Sequence, residues 1–347
     1  MSERSCSVVV VGAGVIGLTT ALHLLERLPG QLDLTLIADQ FPPNTTSDKA
    51  GMILSECRHQ NQGTKGEIQT KDIMRWTKAT FQKFHSIYRS EENADVEITL
   101  QHGYQVFEDI PDCDPWWKDE VFGFRRVELD SVEANIARIP PGTREVWSFG
   151  TYFVDNTVYI NWLLRKVKQG GVKIQQRKIF NLDELSSYDI IINCTGLGSC
   201  DLLGDKLMYP IRGQVVLVRA PWVRTWFMKD EDDDNILYIL PRSRDVVLGG
   251  TTEAGNWSET PNPETALRIL KKCQEFVPSL AGAEVIREWA GLRPQRDPIR
   301  LECCGGPGDS MLIHCYGHGG MGVVLSWGCA MDIGDMVQKR LVSPKAN

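Results

Sequence analysis

Apolar residues run unbroken from Val8 to Val11, break into glycines at 12, 14 and 17, and resume as Leu18, Leu22 and Leu25 at helical spacing. The pattern predicts a buried strand, a tight turn and a helix. A second apolar run, Leu34-Thr35-Leu36-Ile37-Ala38, reads as a strand that ends on Asp39. Further along, the pattern is mixed rather than regularly alternating. Residues 68–90 predict a helix carrying Trp76, Phe81 and Phe84, and residues 96–108 predict strands around a Gly103-Tyr104 turn. An amphipathic helix follows at 157–169, then a strand at Val172-Lys173-Ile174. The run ending in Ile190-Ile191-Ile192-Asn193 resembles a buried parallel strand returning to the first sheet. Strands are expected at 213–219 and 236–250, and helices at 263–276 and from Cys329 to Leu341. The implied fold is α/β, with a nucleotide half built from the two ends and the middle of the chain and a β-rich half between them.

The glycine turn carries chemistry. Its three glycines let the turn close, let the backbone approach a pyrophosphate and let the helix pack on the strand, while the helix start receives negative charge. Asp39 lies 39 − 17 = 22 residues beyond the last glycine, close to the ~20 expected of an acid that takes ribose hydroxyls. An acid there favours an unphosphorylated ribose, so FAD or NAD rather than NADP. An ordinary packing turn followed by a solvated aspartate is the plainer reading.

The 347 residues carry a formal net charge of −7, which argues against nucleic acid or an anionic membrane as partner. No apolar run is long enough to span a bilayer, and the amino terminus lacks a secretory pattern, so an intracellular protein is expected. The ten cysteines show no paired C-x-x-C spacing, which predicts reduced, mostly buried thiols and no metal site.

In the last third, Gly291-Leu292-Arg293-Pro294 reads as a short turn presenting one arginine, and Tyr316-Gly317-His318-Gly319-Gly320-Met321-Gly322 as a second glycine cluster. Dense glycines let backbone lie against a flat ligand, and a guanidinium beside them would fork a carboxylate. An arginine on a surface loop is the alternative.

Taken in order, Gly12-Ala13-Gly14-Val15-Ile16-Gly17, Thr45-Thr46-Ser47-Asp48, Asn193-Cys194-Thr195-Gly196, Arg212-Gly213-Gln214, Leu248-Gly249-Gly250-Thr251, Gly291-Leu292-Arg293-Pro294 and Tyr316-Gly317-His318-Gly319-Gly320 resemble the D-amino-acid oxidase and D-aspartate oxidase family across nearly the whole chain. The resemblance implies a Rossmann-like FAD-binding domain (residues 1–52, 152–205 and 292–340) interleaved with a β-rich α+β substrate domain (53–151 and 206–291), and a tail at 341–347. It implies an FAD enzyme that takes a hydride from the α-carbon of a D-amino acid, with oxygen as second substrate and a 2-oxo acid, ammonia and hydrogen peroxide as products.

By match to the family, Arg293 would clamp the substrate α-carboxylate, the Tyr238 hydroxyl would hydrogen-bond it, and the Gly320 carbonyl would accept from the amine. FAD contacts carried over are Gly12 to Gly17, Asp39, Gln40, Thr45, Thr46, Ser47, Gly51, Met52, Ile179, and Gly319, Gly320, Met321, Gly322, Val323 and Val324. Where the family has Asp-Val-Ala-Ala-Gly this chain has Asp48-Lys49-Ala50-Gly51, one residue shorter, so the loop against the flavin ring is expected to sit differently. Position 234 is an aspartate where neutral-substrate members carry a second tyrosine. Lys229 and Thr252 fall where the D-aspartate branch uses arginines for the second carboxylate. The resemblance therefore favours D-aspartate and D-glutamate, with neutral D-amino acids as the alternative.

A nicotinamide-dependent reductase would share the first glycine turn but not the second cluster. A flavin-binding protein without oxidase activity is the more remote alternative. The family implies a peroxisomal location, whereas the end Lys345-Ala346-Asn347 lacks a Ser-Lys-Leu-like address, which leaves a cytosolic one open. A homo-oligomer is compatible with the family, whose members differ in this respect.

Overall fold

The computed structural model describes residues 5–50, 67–230 and 235–342. In chain order its elements begin with β1 (Cys6–Val11), α1 (Val15–Arg27), β2 (Leu32–Ala38), α2 (Glu67–Tyr88), α3 (Asn93–Val96), β3 (Thr99–Phe107), β4 (Phe122–Arg126), α4 (Val132–Ile136) and β5 (Glu145–Phe153). There follow α5 (Asn156–Gln169), β6 (Lys173–Gln176), β7 (Ile190–Asn193), α6 (Gly198–Leu203), β8 (Met208–Arg219), β9 (Trp226–Asp230), β10 (Asn235–Pro241) and β11 (Val246–Thr251). The last are β12 (Glu253–Ala254), α7 (Pro263–Phe276), β13 (Glu284–Gly305), β14 (Met311–His318) and α8 (Gly322–Val342).

All the strands join one sheet in the order β4-β5-β3-β9-β10-β11-β8-β13-β14-β7-β1-β2-β6, with β12 on β8 off this path. From β14 to β6 every neighbouring pair is parallel. The remaining pairs are antiparallel except β3 with β9. The inner parallel strands β1 and β7 are largely apolar because both faces are covered, whereas the edge strand β6 is polar and mostly exposed. Val8 and Val10 enter a core shared with α1 and α8, while Val9 and Val11 enter a second core with Ile37, Ile191 and Leu312. α1 and α8 pack so closely that a Cβ on Gly334 would lie 3.0 Å from His23 Nε2.

Register decides where the site forms. Val11 stands opposite both Ile37 of β2 and Asn193 of β7, so Gly12, Asp39 and Cys194 emerge together at the carboxyl edge of the parallel strands, where open α/β sheets bind ligands.

The α/β reading holds, including the return of β7 to the first sheet and the helix at 263–276. Three local expectations are corrected. Residues 96–108 form no turn: β3 runs straight through Gly103, whose missing side chain leaves room for Trp226, with the indole Cδ2 2.4 Å from where a Cβ would sit. Gly291 to Pro294 is likewise not a turn but the middle of the 22-residue β13, held to β8 from Glu284 opposite Arg219 to Arg296 opposite Met208. The last helix starts at Gly322 rather than Cys329, because β14 ends at His318 and one 3-10 turn over Gly319–Met321 leads directly into it.

Candidate active site

A cavity of ≈ 1040 Å³ runs from the edge of the parallel strands to the antiparallel half. Its first wall is the glycine turn. Gly12 has φ +112°, and a Cβ there would lie 2.4 Å from the Cys194 carbonyl oxygen. Only glycine can both take that backbone angle and pass so close to β7. Gly12 N donates to Ile37 O at 2.8 Å and Cys194 N to Val11 O at 2.8 Å, which fixes the turn to both flanking strands. The Val15 amide opening α1 donates to Ser47 Oγ at 2.9 Å. The segment carrying Ser47 is braced by Asp48 Oδ2, which accepts from Thr45 N at 3.1 Å and Thr45 Oγ1 at 2.7 Å. Asn156 Nδ2 donates to Ala50 O at 2.7 Å, so α5 anchors the end of that segment.

The second wall is built on the antiparallel strands. Arg293 on β13 lays its guanidinium over Gly213 of β8: a Cβ on that glycine would lie 2.4 Å from both Nη1 and Nη2. Arg293 Nη1 donates to Thr251 O at 3.0 Å. Tyr238 on β10 faces Gly249 of β11 across the ladder, and its ring occupies the space of that residue's missing side chain, with Cζ 2.1 Å from a Cβ built there. The short segment Gly249–Thr251 thus orients both side chains, and both line the cavity. Met228, Ile236 and Leu240 give this end an apolar side.

The cavity lining includes Gly12, Ala13, Gly14, Val15, Ile16, Asp39, Gln40, Thr45, Thr46, Ser47, Ile179, Thr252, Gly319, Gly320, Gly322 and Val323 among the expected residues. Gly17 lies behind the wall, where a Cβ would sit 1.9 Å from Gly12 O; Met321 and Val324 are buried in the core beneath it. Gly51 and Met52 lie outside the described residues, as does Asp234, so the described part of the shortened loop ends at Ala50.

Lys229 is a correction. Its neighbour Met228 shares a face with Tyr238, and strand alternation turns Lys229 the other way with Leu237. Its ammonium meets Glu108 at 2.7 Å and it does not line the cavity. Two cations were missed. Arg177 and Lys178 line the nucleotide end next to Asp39, brought there because β6 pairs with β2 and Arg177 N donates to Ala38 O at 2.9 Å. Their adjacency to Ile179 was the available signal. The expectation of no metal-ligand cluster is also revised: Cys315, His318 and Cys329, spaced C-x2-H-x10-C rather than C-x-x-C, converge beside the second glycine cluster. Burial pushes His318 down to about 4, so its imidazole is neutral.

Residues 7–336 match the FAD-dependent oxidoreductase family. The chain belongs to that family. It is 37% identical to human D-aspartate oxidase over 98% of both chains, and 35% identical to a D-amino-acid oxidase of Rubrobacter xylanophilus over 93% of both. The fold is that of glycine oxidase from Bacillus cereus, with a TM-score of 0.76 at 19% identity over 97% of this chain and 96% of that one. The resemblance carried by the sequence motifs is borne out, and the protein is an FAD-dependent oxidoreductase. The side chains present fit that cofactor: a backbone-only cradle at Gly12, an acid and two cations at the far end, and a glycine-lined floor at Gly319–Gly320. Among the described residues no helix is long and apolar enough to cross a membrane.

Proposed function

We propose that this FAD-dependent oxidoreductase oxidatively deaminates D-amino acids to the 2-oxo acid, ammonia and hydrogen peroxide. The observation that carries the reading is the convergence of Arg293 and Tyr238 on the Gly249–Thr251 segment at the end of the cavity away from Asp39. With one Nη donated to Thr251 O, the guanidinium keeps further N–H groups for an α-carboxylate, a charge-assisted contact that is geometrically selective. The Tyr238 hydroxyl supplies a second hydrogen bond and the Gly320 carbonyl accepts from the neutral α-amine. Bound FAD supplies the two-electron acceptor. Positioning of the α-hydrogen then does most of the catalytic work of the chain's own residues, and the apolar side of the cavity keeps water from that position.

Acidic D-amino acids are the preferred class in this reading, supported by the 37% identity to a D-aspartate oxidase. A second reading, neutral D-amino acids, is supported by the placement of Lys229 away from the cavity and against Glu108. Thr252 lines the cavity and would contribute a hydroxyl in either case. Gly12 to Gly17, Asp39, Gln40, Thr45 to Ser47, Ile179 and Gly319 to Val324 are proposed to hold the cofactor, directly or from the layer beneath it, and Arg177 and Lys178 are added to them. The proposed domain division is supported by the topology: the parallel strands fall in the FAD-binding segments, and β13 crosses the boundary at residue 292.

The test is anaerobic mixing of the purified yellow protein with D-aspartate, D-alanine and L-aspartate in turn. Bleaching of the flavin by D-aspartate far faster than by D-alanine establishes the acidic reading, and the reverse establishes the neutral one. No bleaching by either D-isomer removes the oxidase proposal.

A further inference from the structure

Three buried side chains beside the cavity have no part in that chemistry. Cys315 and His318 lie in β14, and Cys329 lies on α8; their relative exposures are 0%, 4% and 0%. His318 Nε2 stands 3.9 Å from Cys315 Sγ and 3.5 Å from Cys329 Sγ, and all three atoms lie within 4.8 Å of one another. Around a tetrahedral ion with bonds of roughly 2.3 Å to sulfur and 2.0–2.1 Å to nitrogen, the edge from N to S is about 3.5 Å. The two observed N···S separations meet that edge to within a few tenths of an ångström.

We propose that Cys315, His318 and Cys329 form a binding site for one thiophilic divalent cation of the zinc class. Two thiolates and an imidazole select soft and borderline ions and exclude calcium and magnesium, which take oxygen ligands. Three protein ligands leave a fourth position for water. Loading displaces both thiol protons: the ion gains two Cys–S bonds and one His–N bond, two protons go to solvent, and nothing is oxidised or reduced.

The site is coupled to the cavity by chain connectivity. Cys315 and His318 themselves line it, and His318 is followed directly by Gly319 and Gly320, which form its floor. An ion that draws His318 and Cys315 toward α8 moves that floor. Loading with Zn²⁺ therefore slows turnover reversibly. The binding claim is independent of which substrate the enzyme takes.

The test uses the FAD-loaded protein with Cys57, Cys113, Cys303 and Cys304 replaced by serine, which removes exposed thiols as competing ligands and a further cysteine from outside the described residues. Titration with CdCl₂ is followed by the ultraviolet thiolate-to-cadmium charge-transfer band, and Zn²⁺ is used to compete. One equivalent per chain is expected, with affinity at least about tenfold weaker after Cys329→Ala and after Cys315→Ser. No band, or a band equally strong in both variants, overturns the site. Retained flavin absorbance certifies each variant's fold, and Cys329→Ser replaces the alanine variant if that one loses flavin. Turnover slowed by Zn²⁺ and restored by EDTA in the background protein, but insensitive in Cys329→Ala, supports the coupling. Equal inhibition in both overturns it.

Discussion

The guanidinium of Arg293 rests on Gly213, with both Nη atoms 2.4 Å from the point a Cβ would occupy. A methyl group there has backbone on one side and the guanidinium on the other, so the arginine must lift away from Thr251 and from the substrate position. For Gly213→Ala we expect the KM for D-amino acids to rise about tenfold or more, the scale of a lost charge-assisted hydrogen bond, with flavin content unchanged. Steady-state kinetics and the flavin-to-protein absorbance ratio check this, and an unaltered KM would separate Arg293 from substrate binding.

Replacing the guanidinium itself should be harsher. Arg293→Lys keeps the charge but loses the planar fork, and KM for every D-substrate is expected to rise by roughly 10- to 100-fold. Tyr238→Phe removes one neutral hydrogen bond and keeps the ring on Gly249, so its effect should be only about two- to tenfold.

Lys229→Met should leave the ratio of D-aspartate to D-alanine turnover within about twofold, because a partly exposed ion pair with Glu108 contributes little to stability and the side chain faces away from the cavity. A selective loss of D-aspartate activity would bring Lys229 back to the substrate.

Gly12→Ala puts a side chain 2.4 Å from the Cys194 carbonyl in a left-handed backbone conformation. Strain of roughly 1–3 kcal/mol and a filled cradle should yield a colourless protein with a lower thermal midpoint. Visible absorbance and calorimetry would show it.

His23 couples acid to the helix pair behind the cradle. Burial pushes its pKa below the usual 6.5, with Arg27 pushing in the same direction. The unfolded chain therefore binds a proton there before the folded chain does, and stability is lost as pH falls below 6.5 toward the depressed value. Thermal midpoints measured against pH should decline below that point, and His23→Gln should flatten the decline. An identical slope in the variant would assign it to other groups.

These cases also mark what local sequence can convey. The cradle was legible because strand, turn and helix lie within one short stretch. Arg293 lines the cavity but from a strand rather than a turn: Gly291 and Pro294 look like turn residues until β8 pairs with them. Lys229 was misplaced because its direction depends on which face of β9 Tyr238 meets across the ladder. Arg177 and Lys178 depend on β6 meeting β2 from a distant part of the chain, which spacing alone does not encode, and the Cys315–His318–Cys329 group, though within fifteen residues, depends on α8 folding back against β14.

Gln295 is paired with Tyr209 of β8 on one side and with His318 of β14 on the other. The strand thus hands over from one half of the sheet to the other only two residues from Arg293. Arg293 and the His318 that leads into Gly319–Gly320 are tied through one strand, two residues apart along β13. In the proposed function, discrimination among substrate side chains then falls to parts hung off that strand, while the hold on the shared amino-acid backbone stays with the strand itself.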